Sequence, residues 1–120
     1  EDLALAIEAA DGVHIGNIGL HGIDWKNRSG ELGIVIGEKA YWDQGYGTDA
    51  IRTLLGLAFR EMNLHRVFLR VDEDNARGIR CYEKVGFRRE GTLREVEFKE
   101  GEYHDQYMMS ILESEFEADD

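Results

Sequence analysis

The sequence predicts a mixed α+β domain in which a mainly antiparallel sheet holds one parallel strand–helix–strand crossover and two helices. Three observations carry that prediction: alternating apolar runs joined by Asp-Gly and Glu-Gly turns near the two ends, a change to helical periodicity after Gly47, and a second, shorter helical stretch between two alternating segments. With 120 residues, 42% hydrophobic and 32% charged, the chain suits one domain spanning 1–120; two independent domains and wholesale disorder are both poor readings.

The opening run "LALAIEA" leads into Asp11-Gly12, and "VHIGNIGLHGID" follows with Val13, Ile15, Ile18 and Leu20 as its apolar positions, the pattern of a hairpin closed by a D-G turn. Its alternation breaks between Ile15 and Ile18, beside Gly16 and Gly19, where a bulge or a close backbone contact is expected. A turn at "KNRSG" introduces "ELGIVIG", a β-branched run expected at the centre of the sheet. From Gly47 onward Ile51, Leu54, Leu55, Ala58, Phe59 and Met62 recur three or four apart, the buried stripe of a helix that "NLH" ends. "RVFLRVDE" alternates again, Val67, Leu69 and Val71 against Phe68 and Arg70, and with "ELGIVIG" it frames the right-handed crossover. A second helix is expected from Asn75 or Ala76 to Val85, with Asn75 as N-cap and Gly86 just past its end. "FRREGTLREVEF" and "YHDQYMMSILESEF" read as two strands around Glu100-Gly101, and the acidic end "ESEFEADD" is expected to fray.

Twenty-five acidic against 14 basic side chains leave a formal charge of −11. That balance disfavours nucleic acid and favours cationic small molecules or basic peptides, although a diffuse acidic surface serves solubility equally well. The lone Cys81 cannot form an internal disulfide, and His14, His21, His65 and His104 have no metal-binding spacing, so a reducing compartment and no structural metal are expected. No apolar run approaches the ~20 residues that span a bilayer and no signal peptide opens the chain, which makes the cytoplasm the expected location. Without an initiating Met, Glu1 is expected to be a boundary set either by processing or by how the sequence was cut.

"WDQGYGTDA" sets Gly45 and Gly47 between a strand and a helix. Such a turn gathers unpaired amides and the positive end of a helix dipole, where phosphate binds, and a Cβ would hold a diphosphate away from those amides. The loop is too short for G-x-x-x-x-G-K-[ST] and lacks its Lys, while G-x-G-x-x-G would need glycine at Ala50. By itself "GYG" suits an unliganded turn. Weight comes from "NARGIRCYEKVGF", which joins a polar helix start to a tyrosine and a glycine stop. Loop and helix together resemble the GNAT superfamily of acetyl-CoA-dependent N-acetyltransferases, whose loop follows Q/R-x-x-G-x-G/A and whose next helix follows N-x-x-[S/A]-x-x-x-Y-E-K-x-G-F. Trp42 stands at the Q/R position and Gly78 where Ser or Ala is usual. "LHRVFLRVDEDN" and "GFRREGTLREVEFKEGEYHDQYMMSIL" are similar to the branch that holds RimJ/RimL-type ribosomal-protein acetyltransferases and spermidine/spermine acetyltransferases. Members of that branch carry a further strand and two helices ahead of "LALAIEA", so the domain is expected to be N-terminally truncated relative to them.

The resemblance implies direct attack of a primary amine, whether a protein N-terminus, a polyamine or another small amine, on the thioester of acetyl-CoA. Ile34, Val35 and Ile36 would pair with the pantetheine amides as an added strand does, and the amides of Gln44, Gly45, Tyr46, Gly47 and Thr48 would hold the diphosphate. Asn75 would bond the pantetheine arm as well as cap its helix. Tyr82 would protonate the leaving thiolate, its alternative being a core tyrosine; Glu31 would be the base, with Asp72 and Glu73 behind it. The oxyanion would use an amide near Val35. Cys81 is expected to be a buried structural thiol, and Arg52, Arg77 and Arg80 to add local positive charge or simply to face solvent. The competing reading is a non-catalytic acyl-CoA-binding or dimerising module; open strand edges make a homodimer an expected partner arrangement.

Overall fold

The computed structural model describes residues 3–37, 39–42 and 44–116. Its alternating segments become strands β1 (Leu3–Glu8), β2 (His14–Asp24), β3 (Ser29–Ile36), β4 (Arg66–Asp72), β5 (Arg88–Lys99) and β6 (Glu102–Leu112), and its periodic segments become helices α1 (Tyr46–Gly56) and α2 (Ala76–Val85). The strands form one sheet in the order β1-β2-β3-β4-β6-β5. Every pairing is antiparallel except β3 with β4, the pair that α1 connects. This is the mixed α+β architecture expected from the sequence. Among the described residues no helix is long and apolar enough to cross a membrane.

One face of the sheet meets the stripe of α1. Ile51, Leu54 and Leu55 are fully buried against Leu20 of β2, Val67 and Leu69 of β4, and Met109 and Ile111 of β6, burials worth roughly 1.5–3 kcal/mol each. The opposite sheet face carries the alternate residues of β4, Phe68 and Arg70. In β2 the broken alternation is a bulge: Ile7 faces Gly16 and Glu8 faces His14, so Ile15 is the extra residue and both Ile15 and Ile18 reach the core. Close contact accompanies it, because a Cβ on Gly16 would collide with the Val35 carbonyl oxygen and one on Gly19 with that of Leu3.

Two expectations change. The first helix does not run on as regular α-helix to Met62; after Gly56 it widens into a π turn over Leu57–Glu61, with the Met62 amide donating to the Leu57 carbonyl at 2.9 Å. Gly56, poor at holding regular helix, stands at the junction, and Ala58 and Phe59 stay buried through the wider turn. The last strand stops at Leu112, not Phe116, because Arg66 opposite Leu112 is the final residue β4 offers it. Glu113–Glu115 then form a 3₁₀ turn, the Leu112 amide donates to Glu115 Oε1 at 3.0 Å, and the Phe116 ring rests 5.5 Å from that of Phe59. The expected fraying therefore does not begin at Glu113; its remaining residues, 117–120, lie outside the described residues.

Candidate functional site

The site begins where β3 and β4 part. β3 stays paired with β2 as far as Ile36, but meets β4 only at Ser29, Gly30 and Glu31, opposite Arg66, Val67 and Phe68. β4 follows β6 instead, residue for residue from Arg66 to Asp72. Past Glu31 the two parallel strands diverge into a V, and the β4-facing edge of Ile34, Val35 and Ile36 has no ladder partner. With α1 and α2 alongside, the V becomes a groove of about 620 Å³ lined by Ile34, Val35, Ile36, Gly45, Gly47, Thr48, Asn75 and Tyr82, all predicted from sequence.

At the groove's mouth Gly45 occupies the N-cap of α1 with φ of 85°, a left-handed conformation natural to glycine, and no side chain caps the helix. The first-turn amides of Tyr46, Gly47 and Thr48 thus have no side-chain acceptor, and the helix dipole adds positive potential there. A Cβ on Gly47 would point into the groove floor, 3.6 Å from Ile36 Cδ1 and 3.7 Å from Cys81 Sγ. Of the loop residues, Gln44 and Tyr46 do not present their side chains to the groove. Gln44 Nε2 donates to the Ala40 carbonyl at 2.6 Å, and the Tyr46 hydroxyl accepts from the Ala10 amide at 3.2 Å while its ring meets Tyr41 edge-on. Both brace the loop and leave only main chain for a ligand.

Asn75 caps α2, its Oδ1 accepting from the Gly78 amide at 3.0 Å. Gly78, found where Ser or Ala is usual, leaves room for this rotamer: a Cβ there would stand 2.6 Å from Asn75 Nδ2, and the amide group would have to turn to keep its bond. Seven residues on, Tyr82 projects to the groove from a ring packed edge-on against Phe87 at 5.9 Å. Burial, helped by Cys81 beside it, pushes its phenol up to about 12, so the hydroxyl stays protonated at every physiological pH.

The predicted bases stand apart from this lining. Glu31 lies at the vertex of the V, and its carboxylate accepts from Arg70 Nε at 2.7 Å and Nη2 at 3.5 Å. Asp72 is held by Lys99 at 2.9 Å and Gln106 at 3.0 Å, and the lysine keeps its carboxyl below the usual carboxylate range. Glu73 accepts from the Asp105 amide at 3.1 Å. Cys81 is half-buried and lines the groove, with Sγ 3.5 Å from Thr48 Oγ1, which corrects its assignment as a buried structural thiol.

Sequence reasoning passed over Trp42 as a site residue and did not consider Lys84. Trp42 Nε1 donates to the Ile36 carbonyl at 2.9 Å, and the Arg77 guanidinium lies 4.5 Å above its ring. Arg77, Arg80 and Lys84 line one wall, three cations in a chain of net charge −11. Their spacing of three, then four, along α2 was the available signal, since such positions share a helix face. Arg52 lies outside this groove, on the far side of α1. A bare amide cluster, a glycine floor, an open strand edge and a cationic wall together fit an elongated ligand with a phosphorylated end and an amide-bearing arm.

A family model described as an acetyltransferase (GNAT) domain matches residues 1–88. A spermidine N(1)-acetyltransferase of Vibrio cholerae is 34% identical over 110 residues, covering 92% of this chain and 63% of that protein. A putative ribosomal N-acetyltransferase of Bacillus subtilis is 35% identical over 109 residues, 91% and 59% of the two chains. An uncharacterized N-acetyltransferase of Bacillus licheniformis is 32% identical over 102 residues, 85% and 57%. The crystal structure of the Vibrio cholerae spermidine N-acetyltransferase in complex with CoA and spermine matches with a TM-score of 0.89 at 32% identity, over 95% of this chain and 67% of that one. The chain thus spans 57–63% of the length of these curated relatives.

Proposed function

The chain belongs to the GNAT acetyltransferase family, and from that premise we propose that it transfers an acetyl group from acetyl-CoA to a primary amine. The parting of β3 from β4 beside uncapped α1 amides is the observation that carries this reading. The amides of residues 44–48 hold the diphosphate, Ile34–Ile36 pair with the pantetheine as an added strand, Asn75 reaches the same arm, and Arg77, Arg80 and Lys84 balance the phosphates. Acetyl-CoA supplies an activated acyl thioester; the protein aligns it and manages protons. Tyr82, fully protonated, donates to the sulfur as it becomes a thiolate. A phenol near 12 is a weaker acid than a thiol that titrates near ~8.5, so full transfer of its proton is uphill; Tyr82 acts by hydrogen bonding to the sulfur, and the departing thiolate takes its proton from water. Glu31 takes the amine's proton, directly or through water, from the vertex of the V. An amide near Val35 receives the oxyanion.

The amine is cationic before reaction and the protein carries −11, so polyamines, the substrate class for which several relatives are named, are the first acceptors to test, followed by N-terminal peptides. A second reading has support in the groove's lining, which holds no carboxylate among the described residues: a module that binds acyl-CoA, alone or as a homodimer, without turning it over. Calorimetry with CoA tests what the readings share, and thiol release from acetyl-CoA on adding a panel of amines separates them. Binding with thiol release supports the enzyme; binding without release from any amine leaves the module, and no binding removes both.

A further inference from the structure

The parting of β3 from β4 leaves a strand edge whose polar groups can be assigned residue by residue. In an antiparallel ladder the N–H and C=O of one residue point to the same side, and those of the next residue point to the other. The Gly37 amide donates to the Ile15 carbonyl of β2 at 2.9 Å, and the register continues through Ile36 opposite Gly16 and Val35 opposite Asn17. Gly37 and Val35 therefore turn their polar groups to β2. Ile34 and Ile36 turn theirs to the groove, where β4 no longer pairs with them.

One of those groups is already taken. Trp42 Nε1 donates to the Ile36 carbonyl at 2.9 Å from a half-buried indole that lines the groove, with the Arg77 guanidinium 4.5 Å above its ring. The indole stands in for the donor that an added strand would bring to Ile36. An extended arm laid along this edge thus finds a complete donor and acceptor pair at Ile34, but only the amide at Ile36.

We infer that Trp42 is a positioning residue that fixes the register of the pantetheine arm on β3, because by holding the Ile36 carbonyl it leaves Ile34 as the single full anchor. This rests on the acyl-CoA reading above. Without the indole N–H, Ile36 becomes a second full anchor beside the Gly47 floor, and the arm gains a register displaced by about 6.6 Å, one repeat of the strand. The displacement runs toward the diphosphate, so the linkage between them bends rather than stretches. It also draws the thioester away from Tyr82, whose place is fixed by α2, and the displaced complex binds without reacting.

The test reads the backbone carbonyls by carbon-13 NMR while the full chain is titrated with CoA, in the parent and in Trp42→Phe, which keeps a ring under Arg77 and removes the donor. In the parent we expect the Ile34 carbonyl to shift, the Ile36 carbonyl to stay and the Trp42 indole N–H to remain bonded, with the exposed Trp25 as reference. In Trp42→Phe the Ile36 carbonyl should shift as well. Turnover adds a readout that a merely structural role does not move: kcat and KM for acetyl-CoA should fall together, about twofold if the two anchors share the arm evenly, with kcat/KM unchanged. A lower kcat at unchanged KM counts against the register. So does release of the Trp42 indole from Ile36 when CoA binds the parent, or an Ile36 carbonyl that stays unmoved in a folded Trp42→Phe protein; each overturns Trp42's role and leaves the acyl-CoA reading intact. If CoA moves no groove resonance in the parent, both fall. If Trp42→Phe does not fold, or the chain does not turn acetyl-CoA over, the parent decides: an indole that stays on Ile36 while the Ile34 carbonyl shifts supports the register, and one that leaves overturns it.

Discussion

At Tyr82, main chain and side chain serve different ends. The carbonyl accepts from the amides of Gly86 at 3.1 Å and Phe87 at 3.0 Å, ending α2, while the ring passes into the groove with its phenol raised to about 12. Tyr82→Phe keeps the ring's packing and removes the proton. We expect CoA affinity within about twofold of the parent and turnover lower by roughly 10²-fold, read from thiol release; equal turnover across the pH range would end the role. A stability signature follows from the same shift. The unfolded phenol ionises near ~10 and the folded one near 12, so the folded state keeps its proton where the unfolded chain loses it. This contribution is complete below pH 10 and fades as pH rises toward 12, by about 2–3 kcal/mol. Urea unfolding between those values should therefore fall more steeply for the parent than for Tyr82→Phe.

The elements show how short polar and glycine positions build a ligand surface. At the mouth of α1, Gly47→Val would place methyl groups over the floor shared by Ile36 and Cys81, and CoA binding should weaken by about tenfold or more; undiminished affinity would contradict the loop's assignment. Gly45→Val acts differently, since nothing crowds that position and the cost, roughly 1–2 kcal/mol, comes from its φ of 85°. At the start of α2, Gly78→Ala would ordinarily strengthen a helix by up to about 1 kcal/mol, but here the new Cβ crowds the Asn75 amide group and weakens a cap worth a similar amount. We expect no net gain in urea stability, and a gain near 1 kcal/mol would show that the cap is dispensable. The glycines and the capping asparagine were legible as a pattern. The Asn75–Gly78 contact was not, because a one-letter departure from a motif does not reveal which side chain fills the space.

Across the whole molecule the groove joins three elements: the end of β3, the start of α1 and one face of α2. A ligand bound among them should stabilise the domain as a unit. At a CoA concentration about 100-fold above its Kd the gain is about 2.7 kcal/mol, which for a domain of this size raises Tm by roughly 10 °C in a thermal scan. No shift would mean that the groove does not take CoA.

What the sequence determined by itself is set by local periodicity and turn chemistry. The strand alternation, the stripe from Ile51 to Phe59, the Asn75 and Gly86 ends of α2 and the glycine loop all follow from patterns a few residues long, and the motif placed the amides and the phenol. Tertiary structure alone decided where β4 leaves β3, because the two edges of β4 are paired by β3 and β6, segments distant in sequence whose registers no local pattern sets. It likewise joined Glu31 to Arg70, 39 residues apart, and set Arg77 on Trp42. Charged side chains on a solvated strand face carry no period that names their partners; only the register of the strands does.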